Sequence, residues 1–320
     1  MIFLKIDKIF NYLKAYGVFF LFKYAFRYLV LLFFFRPFFE YINVKIFDFK
    51  LKILSKDTGI SKALYLLRER ELEHKFILEE ILSKKNTYNI YDIGSNIGYY
   101  MMIFNKLINN QSKIIAIEPV KKNFSILNDN IEMNNLTNVI TFNCAISDHE
   151  GEKEIYLSGS SNLNTFHNYG SVKKKLDGKQ EKVNLKTVSE IFKITKLQPD
   201  IIRMDVEGHE VEILNSLIKL IISNQIQPKI LFEVHLSRYN DRHNLSEIFQ
   251  KFYKSGFIAS MVGTSSIKGT KYLEEAGYKN IKNIYSDGYK RGIFLNIKLP
   301  ILDLMVHKKG GIRTILLEKK

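Results

Sequence analysis

The chain has 320 residues, 46% of them hydrophobic and 13% aromatic, which is enough to bury a sizeable core and excludes global disorder. Its net charge of +15 comes from 48 basic residues of which only nine are arginine, a lysine-rich mix of the kind left by compositional drift. Phosphate-reading surfaces favour arginine forks or basic clusters, so nucleic acid is not the expected partner. The single cysteine, Cys144, excludes an internal disulfide or a cysteine metal cluster and reads as a small core residue in a cytoplasmic chain.

From residue 3 to residue 39 the chain is crowded with Phe, Leu, Tyr and Ile. Lys14, Lys23, Arg27 and Arg36 interrupt it, so no charge-free run exceeds eight residues. A spanning helix needs about 20 mostly apolar residues, and Lys23 and Arg27 would sit at its centre. No small-residue cleavage site follows. Lys23 and Arg27 are four apart and share a helical face. The segment therefore predicts a basic amphipathic helix lying on an anionic membrane surface with snorkelling lysine stems, or else packing on the main domain or a second subunit. Residues 1–56, from Lys5 onward, hold ten basic and three acidic residues, a net of +7.

Alternation at Val44, Ile46, Phe49, Leu51 and Ile53 predicts a strand pair. The expected organisation is this extension over 1–56, a main domain over 57–300 and a basic tail over 301–320. Residues 61–83 read as one helix with Leu64, Leu67, Leu72, Phe76 and Ile77 on its apolar side. Apolar runs then recur at 88–93, 113–117, 139–144, 201–204 and 229–234, most of them separated by helical patterns. That order predicts a parallel βαβ sheet with ligands beyond the carboxyl ends of its strands. Extra strands are expected at 154–157 and 182–186. The Ser/Asn/Gly-rich loop between them, 158–171, carries Phe166, His167 and Tyr169 and reads as a substrate lid with His167 as a contact, or else as a disordered connector. A helix over 245–253 and strands at 257–262 and 292–297 complete the pattern.

The strand ends carry the chemistry. The first leads into Asp92-Ile93-Gly94-Ser95-Asn96-Ile97-Gly98, whose two glycines let the backbone turn and let a ligand approach closely. The amides that open the next helix face that turn. The second ends in Glu118-Pro119, with the proline read as the first helical residue. Its carboxylate, 26 residues after Asp92, can accept hydrogen bonds from a ribose diol. The third, from Asn143 through Ala145 to Ser147, can hold a flat base. The fourth offers Asp205, Glu207, His209 and Glu210, and the fifth Glu233 and His235. Because the turn is G-x-x-x-G and not G-x-G-x-x-G, it lacks the dinucleotide pyrophosphate cradle. A ligand bearing an amino acid and a ribose fits better, and S-adenosylmethionine is such a ligand.

The segments YDIGSNIGYY, AIEPVKKNFSILNDNIEMNN, NCAISD, IIRMDVEGHEVEIL and LFEVH, in this order, resemble the successive blocks of the FkbM family of S-adenosylmethionine-dependent methyltransferases, and LRERELEH resembles that family's lead-in. The resemblance covers about residues 57–240. It implies a class I methyltransferase fold, a Rossmann-like α/β architecture with a seven-stranded sheet whose last strand is antiparallel, here with an N-terminal helical extension. It also implies O-methylation, typically of a sugar hydroxyl. Carried onto this chain, Asp92, Gly94, Ser95, Asn96 and Gly98 would line the methionine moiety, Glu118 would hold the ribose, and Asn143 and Ala145 would flank the adenine.

For catalysis, Asp205, Glu207, Glu233 and His235 are the candidates. Crowded carboxylates raise one another's pKa, and a neutral imidazole is a competent base near pH 7. Strand alternation puts Glu233 and His235 on one face with Val234 opposite. This favours a metal-free carboxylate–histidine pair over a divalent cation held by Asp205, Glu207 or Glu233, and His235. His209 reads as a solvated helix residue, and His74, His149, His243 and His307 as surface residues. The expected function is methylation of a cell-surface glycan or its precursor at the inner membrane face. An RNA methyltransferase of the same fold would want an Asn-Pro-Pro-aromatic site or a second cysteine, which the chain lacks. A non-catalytic membrane-tethered scaffold would not need the intact Gly94/Asn96/Gly98 turn.

Overall fold

Five short strands, apolar at nearly every position, lie side by side in parallel: β3 (Asn89–Ile93), β4 (Lys113–Ile117), β5 (Val139–Phe142), β9 (Ile201–Met204) and β10 (Lys229–Glu233). All but the edge strand β5 are buried along almost their whole length, as strands covered on both faces must be. The computed structural model describes residues 6–168 and 170–320. Phe3, Lys5 and Tyr169, which figured in the sequence reading, lie outside the described residues.

The sheet has nine strands where seven were expected, in the order β12-β13-β11-β14-β10-β9-β3-β4-β5. The additional pair is the hairpin β12 (Lys282–Ser286) and β13 (Tyr289–Ile297), which extends the edge beyond β11 (Phe257–Thr264). β14 (Ile312–Lys319) is antiparallel to both of its neighbours, β10 and β11. The basic tail expected over 301–320 is therefore wrong. That segment supplies a short helix and an interior strand, because Ile312, Ile315, Leu316 and Leu317 carry apolar groups to both faces and all are buried. β6 (Ala145–Ile146), β7 (Gly151–Ser158) and β8 (Leu176–Lys186) form a separate three-stranded sheet containing the two inserted strands.

Helices α5 (Tyr99–Leu107), α6 (Lys121–Met133), α7 (Val188–Thr195) and α8 (Glu210–Ile222) connect the parallel strands, and α9 (Ser246–Lys254), α10 (Ile267–Glu275) and α11 (Leu299–Leu304) follow. Pro119 stands two residues ahead of α6 and does not open it. The helix expected over 61–83 is two helices, α3 (Ile60–Leu67) and α4 (Leu72–Leu82), broken where Arg68 and Glu71 both adopt positive φ. The break turns Arg70 and Glu71 toward the carboxyl ends of the strands.

The N-terminal helix α1 (Ile6–Val30) bends at Gly17 (φ 78°) and continues through one π-turn into α2 (Arg36–Phe38). It is not a basic amphipathic helix. Three of its polar groups bond to the protein, Asn11 donating to the Gly288 carbonyl (2.9 Å), Tyr16 to Tyr285 (3.0 Å) and Arg27 to Leu66 (2.8 Å), while Lys14 and Lys23 are exposed. Its outward side is a row of phenylalanines, with Phe19 85% and Phe22 69% exposed. Over Ile9–Phe38 the helical segment is long and apolar enough to cross a membrane by length and composition. The strand pair β1 (Tyr41–Ile46) and β2 (Phe49–Leu54) forms as expected. It is clamped to α6 by Asn130, which accepts from the Lys52 amide (2.6 Å) and donates to the Lys52 carbonyl (3.1 Å).

Candidate active site

The cleft opens beyond the carboxyl end of β3, where the chain passes to β4 on one side and β9 on the other. Gly94, at φ 79°, sits so close to β9 that a Cβ there would stand 2.2 Å from the Asp205 carbonyl oxygen. Only glycine lets these strand ends approach so closely. Gly94, Ser95, Asn96, Glu118 and Ala145 all line the cleft.

Asp92, Gly98 and Asn143 do not line it. Asp92 is fully buried beneath the turn and accepts from Arg203 Nη1 at 3.1 Å, with burial pushing its carboxyl up and Arg203 holding it down. Its place at a strand's inward position, and not its sign, put it there. Gly98 starts α5, where a Cβ would meet Leu127 and Met101. Asn143 shapes the cleft from behind, donating to the Glu118 and Pro119 carbonyls at 2.9 Å each.

Glu118 is 4% exposed. One oxygen accepts from the Asn96 amide (2.9 Å), and the other from the Val120 amide (3.1 Å) and Asn123 Nδ2 (3.2 Å). Burial nonetheless pushes its pKa up to about 7. From the loop between β7 and β8, Ser161, Asn162, Asn164 and Phe166 line the cleft. Asn96 donates to the Ser161 carbonyl (3.0 Å), and Thr165 Oγ1 donates to the Glu207 carbonyl (2.7 Å). His167 stands behind this wall and not in it.

At the fourth and fifth strand ends, Asp205 and Glu207 face the cleft, whereas Glu233 and His235 lie behind them. His235 Nδ1 is 2.7 Å from Glu210 Oε1. Its Nε2 is 3.5 Å from Asp205, 3.6 Å from Glu207 and 3.6 Å from Glu233. Burial disfavours charge on the ring, but Glu207, Glu210 and Glu233 outweigh it and hold the pKa well above the usual histidine value. The surrounding carboxylates favour the imidazolium form of His235, where the sequence reading allowed a neutral imidazole base. Each carboxylate also has a guanidinium. Arg203 reaches Asp205 (3.2 Å), Arg238 reaches Glu207 (2.8 Å) and Arg313 reaches Glu233 (2.8 Å). Asp205, Glu207 and His235 each bring a donor atom within 4.8 Å of the others, as a divalent cation would need. The Arg203 and Arg238 guanidiniums also pair with Asp205 and Glu207 there.

Sequence reasoning missed Arg70, Glu71, Arg203 and Arg313. Glu71 pairs with Arg70 and Arg313 and accepts from the Tyr100 hydroxyl (2.7 Å), while the Arg203 guanidinium lies 3.7 Å from the Tyr100 ring centre. Arg70, Glu71 and Arg203 line the cleft. The available signal was an arginine inside the buried run Ile201–Met204, since a buried charge must be paired. Four histidine readings change: His209 (2% exposed) and His74 (1%) are buried, and His243 and His307 are half-buried, while the His149 side chain is exposed as expected.

A family model described as the methyltransferase FkbM domain matches residues 92–259, slightly more than half of the chain. No curated protein matches. Among solved structures, the precorrin-6y C5,15-methyltransferase from Geobacter metallireducens is similar at 12% identity and a TM-score of 0.37, covering 78% of this chain and 87% of that one. M. jannaschii TYW2 in complex with AdoMet is similar at 12% identity and a TM-score of 0.38, covering 88% and 87%. The O-methyltransferase from Bacillus cereus in complex with SAH is similar at 13% identity and a TM-score of 0.38, covering 72% and 82%. These structural likenesses are too distant to bear on activity; the family match is what does.

Proposed function

This chain belongs to the FkbM methyltransferase family, and we propose that it moves the methyl group of S-adenosylmethionine onto a sugar hydroxyl of a cell-surface glycan or its precursor. The observation that carries the cofactor is Glu118, a nearly buried carboxylate at the end of the second strand, with both oxygens fixed by donors beside a glycine turn. Glu118 would hold the ribose hydroxyls, Ser95 and Asn96 the amino-acid end together with Arg203, and Ala145 the adenine. Bound there, S-adenosylmethionine supplies an electrophilic methyl group.

Asp205 and Glu207 are the two carboxylates just beyond β9 that face the cleft, so either can take the acceptor's hydroxyl proton. A general base of this kind is worth about 10²–10⁴-fold in rate. His235 is a positioning residue. It lies between these carboxylates and Glu233 and is held by Glu210.

A sugar acceptor is supported by a second cavity of about 740 Å³ between α1 and the main domain. Arg70 and Asn162 belong to the walls of both cavities. Its aromatic lining (Tyr12, Tyr24, Tyr28) with Arg70 and Arg291 offers the ring faces and polar tips that sugars use. The phenylalanine row on the far side of α1 supports docking at the inner membrane face, with the helix lying in the interface. Titration calorimetry of the pure chain with S-adenosylmethionine is the first test. A Glu118→Ala variant that binds as tightly as the wild type would overturn the cofactor site. Mass spectrometry of surface glycans from a deletion strain then tests the substrate, and no lost methyl group would overturn it.

A further inference from the structure

Away from the proposed catalytic carboxylates, three imidazoles crowd one carboxylate. His167 stands on the loop covering the cleft, His209 and Glu212 at the start of α8, and His243 in the turn beyond β10. His167, Glu212 and His243 each bring a donor atom within 4.8 Å of the others. The His167 and His243 ring centres are 4.7 Å apart. His243 Nε2 lies 3.1 and 3.2 Å from the two Glu212 oxygens, and His209 Nδ1 lies 3.2 Å from Glu212 Oε2.

The proton inventory at His209 points to a cation. Its Nε2 is 3.1 Å from Ser147 Oγ. The single Ser147 hydroxyl proton is committed to Asp148 Oδ1 (3.2 Å), a carboxylate that can only accept. With that proton given to Asp148, Ser147 Oγ accepts from His209 Nε2–H, the tautomer that leaves the Nδ1 lone pair toward Glu212. A lone pair on a 2%-exposed ring thus faces a carboxylate oxygen at 3.2 Å, and Nδ1 makes no hydrogen bond there. Two acceptors held this close repel unless a positive centre lies between them.

We propose that His167, His209, Glu212 and His243 bind a divalent transition ion of the zinc class. Three imidazole nitrogens and one carboxylate oxygen are zinc ligands, whereas calcium and magnesium want oxygen. Tetrahedral donors about 2.0–2.2 Å from zinc lie roughly 3.4 Å from one another; the His167, Glu212 and His243 donors lie within 4.8 Å of one another, and His209 Nδ1 adds a fourth 3.2 Å from Glu212 Oε2. The Ser147 contact on the far side of the His209 ring is the outer-shell hydrogen bond that fixes such a ligand's tautomer. The ion ties the Asn164–Phe166 wall of the cleft to α8 and to the turn at His243, so it orders the cleft from outside.

The full chain, stripped with a chelator and titrated with zinc at neutral pH, tests this. One equivalent should bind and raise the melting temperature. His167→Ala and His243→Ala should each weaken binding at least about tenfold, and exposed His149→Ala should leave it unchanged. Affinity weaker than about 100 µM overturns the site. So does zinc binding retained in both histidine variants, or lost only in His235→Ala, which would place the ion at the other cluster. Should a variant fail to fold, cobalt absorption of the wild type decides: intense tetrahedral bands support the site and weak octahedral bands overturn it.

Discussion

Glu210 Oε1 stands 2.7 Å from His235 Nδ1, and that contact decides what the ring can do. With Nδ1–H donated to a fully buried carboxylate, Nε2 is left pointing into the triangle of Asp205, Glu207 and Glu233. The ring holds three carboxylates together and cannot itself accept a proton while charged.

Removing one partner of a buried ion pair strands the other, at a cost of about 3–5 kcal/mol. His235→Gln should therefore lower stability by that order, and the loss should depend on pH. The folded His235 pKa is raised, so its contribution is complete below the unfolded value near 6.5 and fades only as pH rises through the folded value. Glu210 is lowered, so its share fades below about pH 4.5. Urea unfolding should show the largest gap between wild type and variant between these limits, shrinking at strongly alkaline pH.

Glu207→Gln keeps the shape and removes the base. If Glu207 takes the hydroxyl proton, kcat should fall by about 10²–10⁴-fold with S-adenosylmethionine affinity within twofold. An unchanged kcat would assign the proton to Asp205, tested by Asp205→Asn in the same assay.

Glu118 must ionise to accept from two ribose hydroxyls, and its pKa in the free protein is about 7. Cofactor binding should therefore release a proton on the acid side of neutrality and tighten as pH rises through 7. The change should approach tenfold per pH unit below that value. Calorimetry in two buffers of different ionisation enthalpy measures the proton, and Glu118→Gln should abolish the pH dependence.

Asp92→Ala separates support from contact. Arg203, 2% exposed, would lose its Asp92 ion pair and keep the one to Asp205. Stability should drop by about 3–5 kcal/mol by urea unfolding, with weaker cofactor binding following only from displaced Arg203. Gly94→Ala should eliminate binding, because its Cβ would collide with the Asp205 carbonyl at positive φ. Gly159→Ala, which meets nothing within 4 Å, should be neutral within about 0.5 kcal/mol.

The outward phenylalanines of α1 predict lipid docking. Each is worth about 1.5–3 kcal/mol when fully withdrawn from water. Replacing Phe19, Phe22 and Phe26 with serine should reduce partitioning onto anionic vesicles by more than about a hundredfold in a flotation assay. Equal flotation would remove the membrane from the proposed function.

The parallel core, the glycine turn and Glu118 were legible in the linear chain because each is local. An apolar run must be covered, a G-x-x-x-G turn follows its own strand, and a carboxylate at a strand end stays near that end. Placement across elements was not legible. Whether a strand-end group faces the cleft or lies beneath it depends on the neighbouring strand, so Asp92 fell behind Arg203 while Asp205 and Glu207 stayed in front of His235. The segment read as a basic tail became β14 because the sheet had a gap there with both faces buried. The amphipathic reading of α1 failed because Lys23 and Arg27 could be ranked by charge but not by direction, and Arg27 turns inward to the Leu66 carbonyl. By itself the sequence determined which short segments are buried and which turn can take a cofactor. Only the tertiary structure decided which charges meet, because pairing energy depends on distances and burial that no spacing along the chain encodes.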